Sequence, residues 1–125
     1  MRKVISTDQA PAAVGPYSQA IKTDHYLFIS GQLPIDPVTG KLVEGNIQDQ
    51  TRQVLQNILE ILRGADLERS NLVKTTVYLR NLDEFEAVNE VYAAVLGKNP
   101  PARACVEVSR LPKDALIEIE AIAQT

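Results

Sequence analysis

The chain has one cysteine, one histidine and no tryptophan, and aromatic residues make up only 5% of it. One thiol permits no internal disulfide, and one thiol with one imidazole cannot build a His/Cys metal cage. A carboxylate-only metal site stays open on composition, but no ion-binding loop signature occurs. No apolar run approaches the ~18 residues of a membrane span. The opening Met1-Arg2-Lys3-Val4-Ile5-Ser6 leads into polar residues rather than a signal-peptide core, so a cytoplasmic protein is expected. Thirteen basic against sixteen acidic side chains give a net charge of −3, and no basic stretch exceeds two residues. The electrostatic footprint of a general nucleic-acid binder is therefore missing. Chemistry is left to Arg, Glu, Tyr, Ser and the lone thiol.

What is present suits one domain over residues 1–125: the chain is 45% apolar, and a chain of this length buries roughly two thirds of its unfolded surface. The first thirty residues read as short extended segments: Val4 to Ser6, Tyr17 to Ile21 and Tyr26 to Ser30. Leu33 to Glu44, with Pro34, Pro37 and Thr39-Gly40, reads as a loop with at most a small hairpin. Ile47, Thr51, Val54, Leu55, Ile58, Leu59 and Leu62 recur at helical spacing. Asn46 suits the N-cap and Gly64 a left-handed C-terminal position. A second helix carries Phe85, Val88, Tyr92 and Val95, opens on an Asp83/Glu86 capping box and stops at Gly97. Asn71 to Arg80 alternates and is β-branched, and Arg103 to Ser109 and Ala115 to Ala123 complete the strands. The order β-β-β-α-β-α-β-β predicts an α+β layer structure with both helices on one face of a sheet.

The opposite sheet face is the informative one. Alternation along the last two strands groups Arg103, Cys105, Glu107 and Ser109, and separately Leu116, Glu118, Glu120 and Ile122, away from the helices. A hairpin that matches Val106 with Ile117 would set Cys105 opposite Glu118 and Arg103 opposite Glu120. Such a cluster reads either as cross-strand ion pairs on an exposed face or as a site. Leu, Ile and a thiol among the charges argue for a covered face, and the cover expected is another copy of the chain.

These residues also carry a resemblance. Pro101-Ala102-Arg103-Ala104-Cys105-Val106-Glu107-Val108, Leu111-Pro112-Lys113-Asp114 and Ile117-Glu118-Ile119-Glu120-Ala121-Ile122-Ala123 resemble the signature of the RidA (YjgF) family. Ala10 to Gln19, Ser30-Gly31-Gln32-Leu33-Pro34, Val73 to Tyr78 and Val88 to Tyr92 extend the likeness over essentially the whole chain. The resemblance implies a chorismate-mutase-like mixed sheet and a homotrimer with clefts between subunits. It also implies hydrolysis of reactive 2-imino acids, such as 2-iminopropanoate and 2-iminobutanoate, released by pyridoxal-phosphate dehydratases. No metal or organic cofactor is implied, no membrane partner is expected, and nucleic acid is not an expected ligand.

By the same resemblance, Arg103 binds the substrate carboxylate, for which a planar guanidinium fork is suited. The competing assignment for Arg103 is an ion pair to Glu118 or Glu120. Glu118 takes the place of the acid that activates water, with Glu120 as the rival. Cys105 is expected as cleft wall rather than nucleophile, because no histidine is near it in sequence. Tyr17 and Ser30 would offer hydroxyls to water or the imine nitrogen, Gly31 a close backbone approach, and Asn89 either a site contact or a helix-surface role. Two alternatives from other classes stand beside the enzyme. One is a non-catalytic module that senses 2-oxo acids or docks a partner. The other is an endoribonuclease-type inhibitor of translation, for which no paired His or His–Lys set is present.

Overall fold

A computed structural model describes residues Met1–Thr125. Strands β1 (Lys3–Ile5), β2 (Ala20–Lys22) and β3 (Tyr26–Gln32) form an antiparallel meander. Helix α1 (Ile47–Gly64), strand β4 (Leu72–Leu79), helix α2 (Phe85–Leu96) and strands β5 (Ala102–Glu107) and β6 (Ile117–Gln124) follow. The expected order of elements and the α+β class are both found. The six strands make one mixed sheet in the order β1-β2-β3-β6-β4-β5, with β4 and β5 its parallel pair.

Helix α1 forms where the apolar stripe lies. Ile47, Val54, Leu55, Ile58, Ile61 and Leu62 are buried against the sheet, and Asn46 closes a capping box with Asp49. The helix runs through Gly64, which packs against Thr7, and the left-handed residue beyond it is Asp66 (φ 61°) instead of the expected glycine. Leu67 N–H then reaches back to the Leu62 carbonyl at 2.9 Å, closing the helix end. At α2 the expected Asp83/Glu86 box gives way to Asn81. Its side chain accepts from Asp83 N–H (2.9 Å) and starts a 3₁₀ turn that leads into the helix. Gly97 ends α2 at φ 67° as anticipated.

The C-terminal hairpin does not form. Strand β6 pairs with β3 on one side and β4 on the other, and β5 is left at the sheet edge beside β4. The cause is burial. Ile117, Ile119, Ala121 and Ala123 of β6 are all buried and demand a central position, whereas Ala102, Ala104 and Val106 of β5 are exposed. The 108–116 segment crosses the end of β4, with Val108 N–H on the Leu79 carbonyl (2.8 Å) and Arg80 N–H on the Leu116 carbonyl (3.1 Å).

Strand β3 carries a bulge. Ile29 pairs with Ala121 and Gln32 with Ile119, so Ser30 and Gly31 together oppose the single residue Glu120. Downstream, the buried Asn57 of α1 donates to the carbonyls of Leu33 (3.1 Å) and Ile35 (3.0 Å) and ties the following loop to the helix layer.

Candidate active site

Beside the bulge lies a cleft of about 450 Å³ whose walls include Val14, Tyr17, Ser30, Gly31, Lys113 and Glu118. One wall is the 7–17 segment, held down by the buried Gln19 amide. That amide accepts from Thr7 N–H (2.7 Å) and donates to the carbonyls of Thr7 (2.9 Å) and Pro11 (2.8 Å). Ser30 Oγ donates to the Ser18 carbonyl (2.6 Å), so toward a ligand its oxygen is free to accept. The Tyr17 ring is half exposed in the cleft. Glu118 is partly buried, and its carboxyl is pushed above the usual carboxylate range, first by burial and then by the neighbouring Glu120. Tyr78 stands across the ladder from Glu118, and its phenol is raised by burial and by Glu120 and Glu118.

A second cavity, also of about 450 Å³, shares no lining residue with the first; Asn89, Tyr92, Pro101 and Arg103 are among its walls. Arg103 pairs with Thr75 in the ladder, and Thr75 faces α2, where its hydroxyl meets the Tyr92 hydroxyl at 2.7 Å. The guanidinium therefore lies on the helix side of the sheet. It donates to Asn89 Oδ1 (2.7 Å) and sits 5.1 Å and 4.9 Å from the ring centroids of Phe85 and Tyr92. None of the four ion pairs in the chain includes Arg103. A cation held by a neutral amide and two ring faces keeps most of its donor fork available for an incoming carboxylate. Cys105, two residues on, is partly buried beside the core, and burial raises its thiol pKa against the opposing pull of Arg103. A thiol so placed is a poor nucleophile at neutral pH.

Residues 7–125 match the family model described as Endoribonuclease L-PSP. The fold superimposes with a TM-score of 0.95 on the crystal structure of YyfA, a Rid family protein of Yersinia pestis, at 50% identity and with all of both chains covered. The chain belongs to the RidA family. A RutC family protein of Pyrococcus horikoshii is 58% identical over 123 residues, covering 98% of each chain. The human 2-iminobutanoate/2-iminopropanoate deaminase is 48% identical over 123 residues, which is 98% of this chain and 90% of that one.

The structure gathers the RidA-like positions into two groups. Tyr17, Ser30, Gly31 and Glu118 meet in the first cleft, and Arg103 and Asn89 meet at the second, with Cys105 next to them on β5. The single charged face expected from the strand pattern is overturned. Thr75, Val77 and Leu79 pair with Arg103, Cys105 and Glu107 on the helix side, whereas Glu118 and Glu120 share the open face with Tyr78 and Thr76. The error lies in the phase of β5. As an edge strand it buries neither set of alternate residues fully, so its apolar positions do not mark the core side. No Arg103 pair to Glu118 or Glu120 forms. Phe85 and Tyr92 were legible only as helix stripe, yet the spacing Phe85, Asn89, Tyr92 puts an amide between two rings on one helix face, and that was the available signal. Lys113, within the Leu111-Pro112-Lys113-Asp114 motif, also lines the first cleft.

Proposed function

We propose that the chain is an imine deaminase. It hydrolyses small 2-imino acids, of the 2-iminopropanoate and 2-iminobutanoate type, to 2-oxo acids and ammonia. The observation that carries this reading is Arg103: a partly buried guanidinium with no acid of its own, framed by Asn89, Phe85 and Tyr92. The human relative's name and the acid in the separate cleft support it.

Within one chain Arg103 and Glu118 lie on opposite faces of the sheet, with β4 between their strands. The working site is accordingly assembled from two copies, Arg103 and Asn89 from one and Tyr17, Ser30, Gly31 and Glu118 from the next, in the homotrimer that the resemblance implies. The open sheet face supports such an assembly. Val4, Phe28 and Val106 are exposed there at 52%, 45% and 44%, an apolar surface that calls for a cover.

Arg103 fixes the substrate carboxylate and so the direction of the C=N bond. The Glu118 carboxylate takes a proton from water as the water oxygen bonds to C2 of the iminium. The C=N π electrons move to nitrogen and give a carbinolamine. Glu118 returns that proton to the amino group and takes the hydroxyl proton as the C–N bond breaks and C=O forms. The departing ammonia then removes the proton as ammonium. A carboxyl with a raised pKa suits both directions of transfer, and such proton transfer contributes about 10²–10⁴-fold. Strand scission of RNA fits less well. The single histidine, His25, lies on the turn before β3, away from both cavities.

The test is addition of the protein at micromolar concentration to a threonine dehydratase reaction. Faster release of 2-oxobutanoate and ammonia, lost in Arg103→Ala, is expected. No acceleration by the unaltered protein would overturn the reading.

A further inference from the structure

Gly31 is the one glycine of the first cleft, and its backbone does not require a glycine: unlike Gly15, Gly40, Gly45 and Gly97, it is not in the positive-φ region. What it requires is space. A β-carbon built on Gly31 would overlap Glu118 Oε2 outright and lie 2.9 Å from Glu118 Cδ and 3.3 Å from Cγ. Two of those atoms are the carboxylate's own and the third is the methylene that carries it, and the side chain is partly buried, so a methyl group at Gly31 could be accommodated only by turning the carboxylate away from where it lies. The β3 bulge brings this position against β6: Ser30 and Gly31 together oppose Glu120, two residues from Glu118. A bulge re-aims the strand at such a point, and the missing side chain leaves a notch in the cleft wall.

We infer that Gly31 is a positioning residue for Glu118: the notch in β3 receives the carboxylate and fixes its orientation toward the cleft. This goes beyond the deaminase reading but rests on it for the kinetic half of its test. The groups that face the acid are Glu120 on its own strand, Tyr78 on β4, Ser30 on β3, Tyr17 on the 7–17 segment and Lys113 on the turn before β6. None of these fills the notch. The three atoms nearest a β-carbon at Gly31 all belong to Glu118, so shortening the acid should relieve the obstruction that a methyl group creates.

The experiment is a double-mutant cycle of Gly31→Ala and Glu118→Asp, read by kinetics and by ¹³C NMR titration of Glu118 in glutamate-labelled protein. Gly31→Ala should lower kcat by about 10²-fold with little change in KM, the cost of a misplaced reacting group. The double variant should exceed Gly31→Ala alone by on the order of tenfold, because the two changes share one contact. In Gly31→Ala the Glu118 titration midpoint should fall toward the ordinary carboxylate value as the acid is driven outward. Losses that multiply in the double variant, or a Glu118 midpoint unmoved by Gly31→Ala, would overturn the inference. Should Gly31→Ala fail to fold, recovery of folding in the double variant supports it, and failure of both overturns it. If the unaltered protein proves inactive on imines while the midpoint still moves, the deaminase reading falls and the positioning role stands.

Discussion

Arg103 is partly buried, stacked on two rings and bonded to an amide, yet no carboxylate of its own chain faces it. A guanidinium held this way, with no anion of its own, suits the carboxylate-receiving role proposed for it. Arg103→Lys preserves the charge but not the planar fork or the stacking on Phe85 and Tyr92. It should lower kcat/KM for a 2-imino acid by about ten- to a hundredfold, chiefly through KM, in a coupled dehydratase assay. Cys105 makes the opposite prediction. Its thiol is held up by burial and lies on the helix side of the sheet, away from Glu118, so Cys105→Ser should keep kcat within several-fold of the unaltered value. At this scale the sequence named the polar side chains but not their neighbours. Arg103 and Glu118 could be singled out by motif, whereas their separation depends on which strand lies between them, and no local pattern encodes that.

Strand β6 presents Glu118 and Glu120 on the same face, two residues apart, and burial with this second charge raises the Glu118 pKa. A base with a raised pKa puts the acid limb of the kcat–pH profile above the usual carboxylate range. Glu120→Gln removes the neighbouring charge and should move that limb to lower pH, leaving the burial contribution in place. The folded state holds the Glu118 proton more tightly than the unfolded chain, so this group's contribution is lost as pH rises from the ordinary carboxylate value through the raised one. Glu120→Gln should reduce that loss. Helix α1 offers a separate test through Asn57, whose amide donates to two carbonyls of the loop after β3. Asn57→Leu strands both acceptors and should destabilise the fold by about 1–3 kcal/mol or more, measured as a fall in urea midpoint at constant slope. Both helices were legible because their apolar stripes and end residues are local in sequence. The partners of β5 and β6 were not. An antiparallel hairpin is the short-range default, and it lost to the burial that β6 gains between β3 and β4.

For the whole molecule, the decisive fact is that the two cavities share no residue and that Arg103 and Glu118 lie on opposite faces of the sheet. On the proposed roles, a single chain holds the carboxylate-binding Arg103 apart from the base Glu118. Symmetric assembly repairs this if each copy lends Arg103 to one neighbour's Glu118 cleft. The arrangement makes a quantitative prediction that does not depend on the number of subunits in the ring. Arg103→Ala and Glu118→Gln homo-oligomers should each be inactive. When equal amounts are unfolded together and refolded, a junction works only where an intact Arg103 from one variant meets an intact Glu118 from the other. Random association puts that at about one junction in four, so the mixture should regain about a quarter of the unaltered activity. A site confined to one chain would regain nothing, since every chain in the mixture lacks one of the two groups. Mixing without unfolding should give the same recovery more slowly, at the rate of subunit exchange, which separates reassembly from any activity carried in by a contaminant.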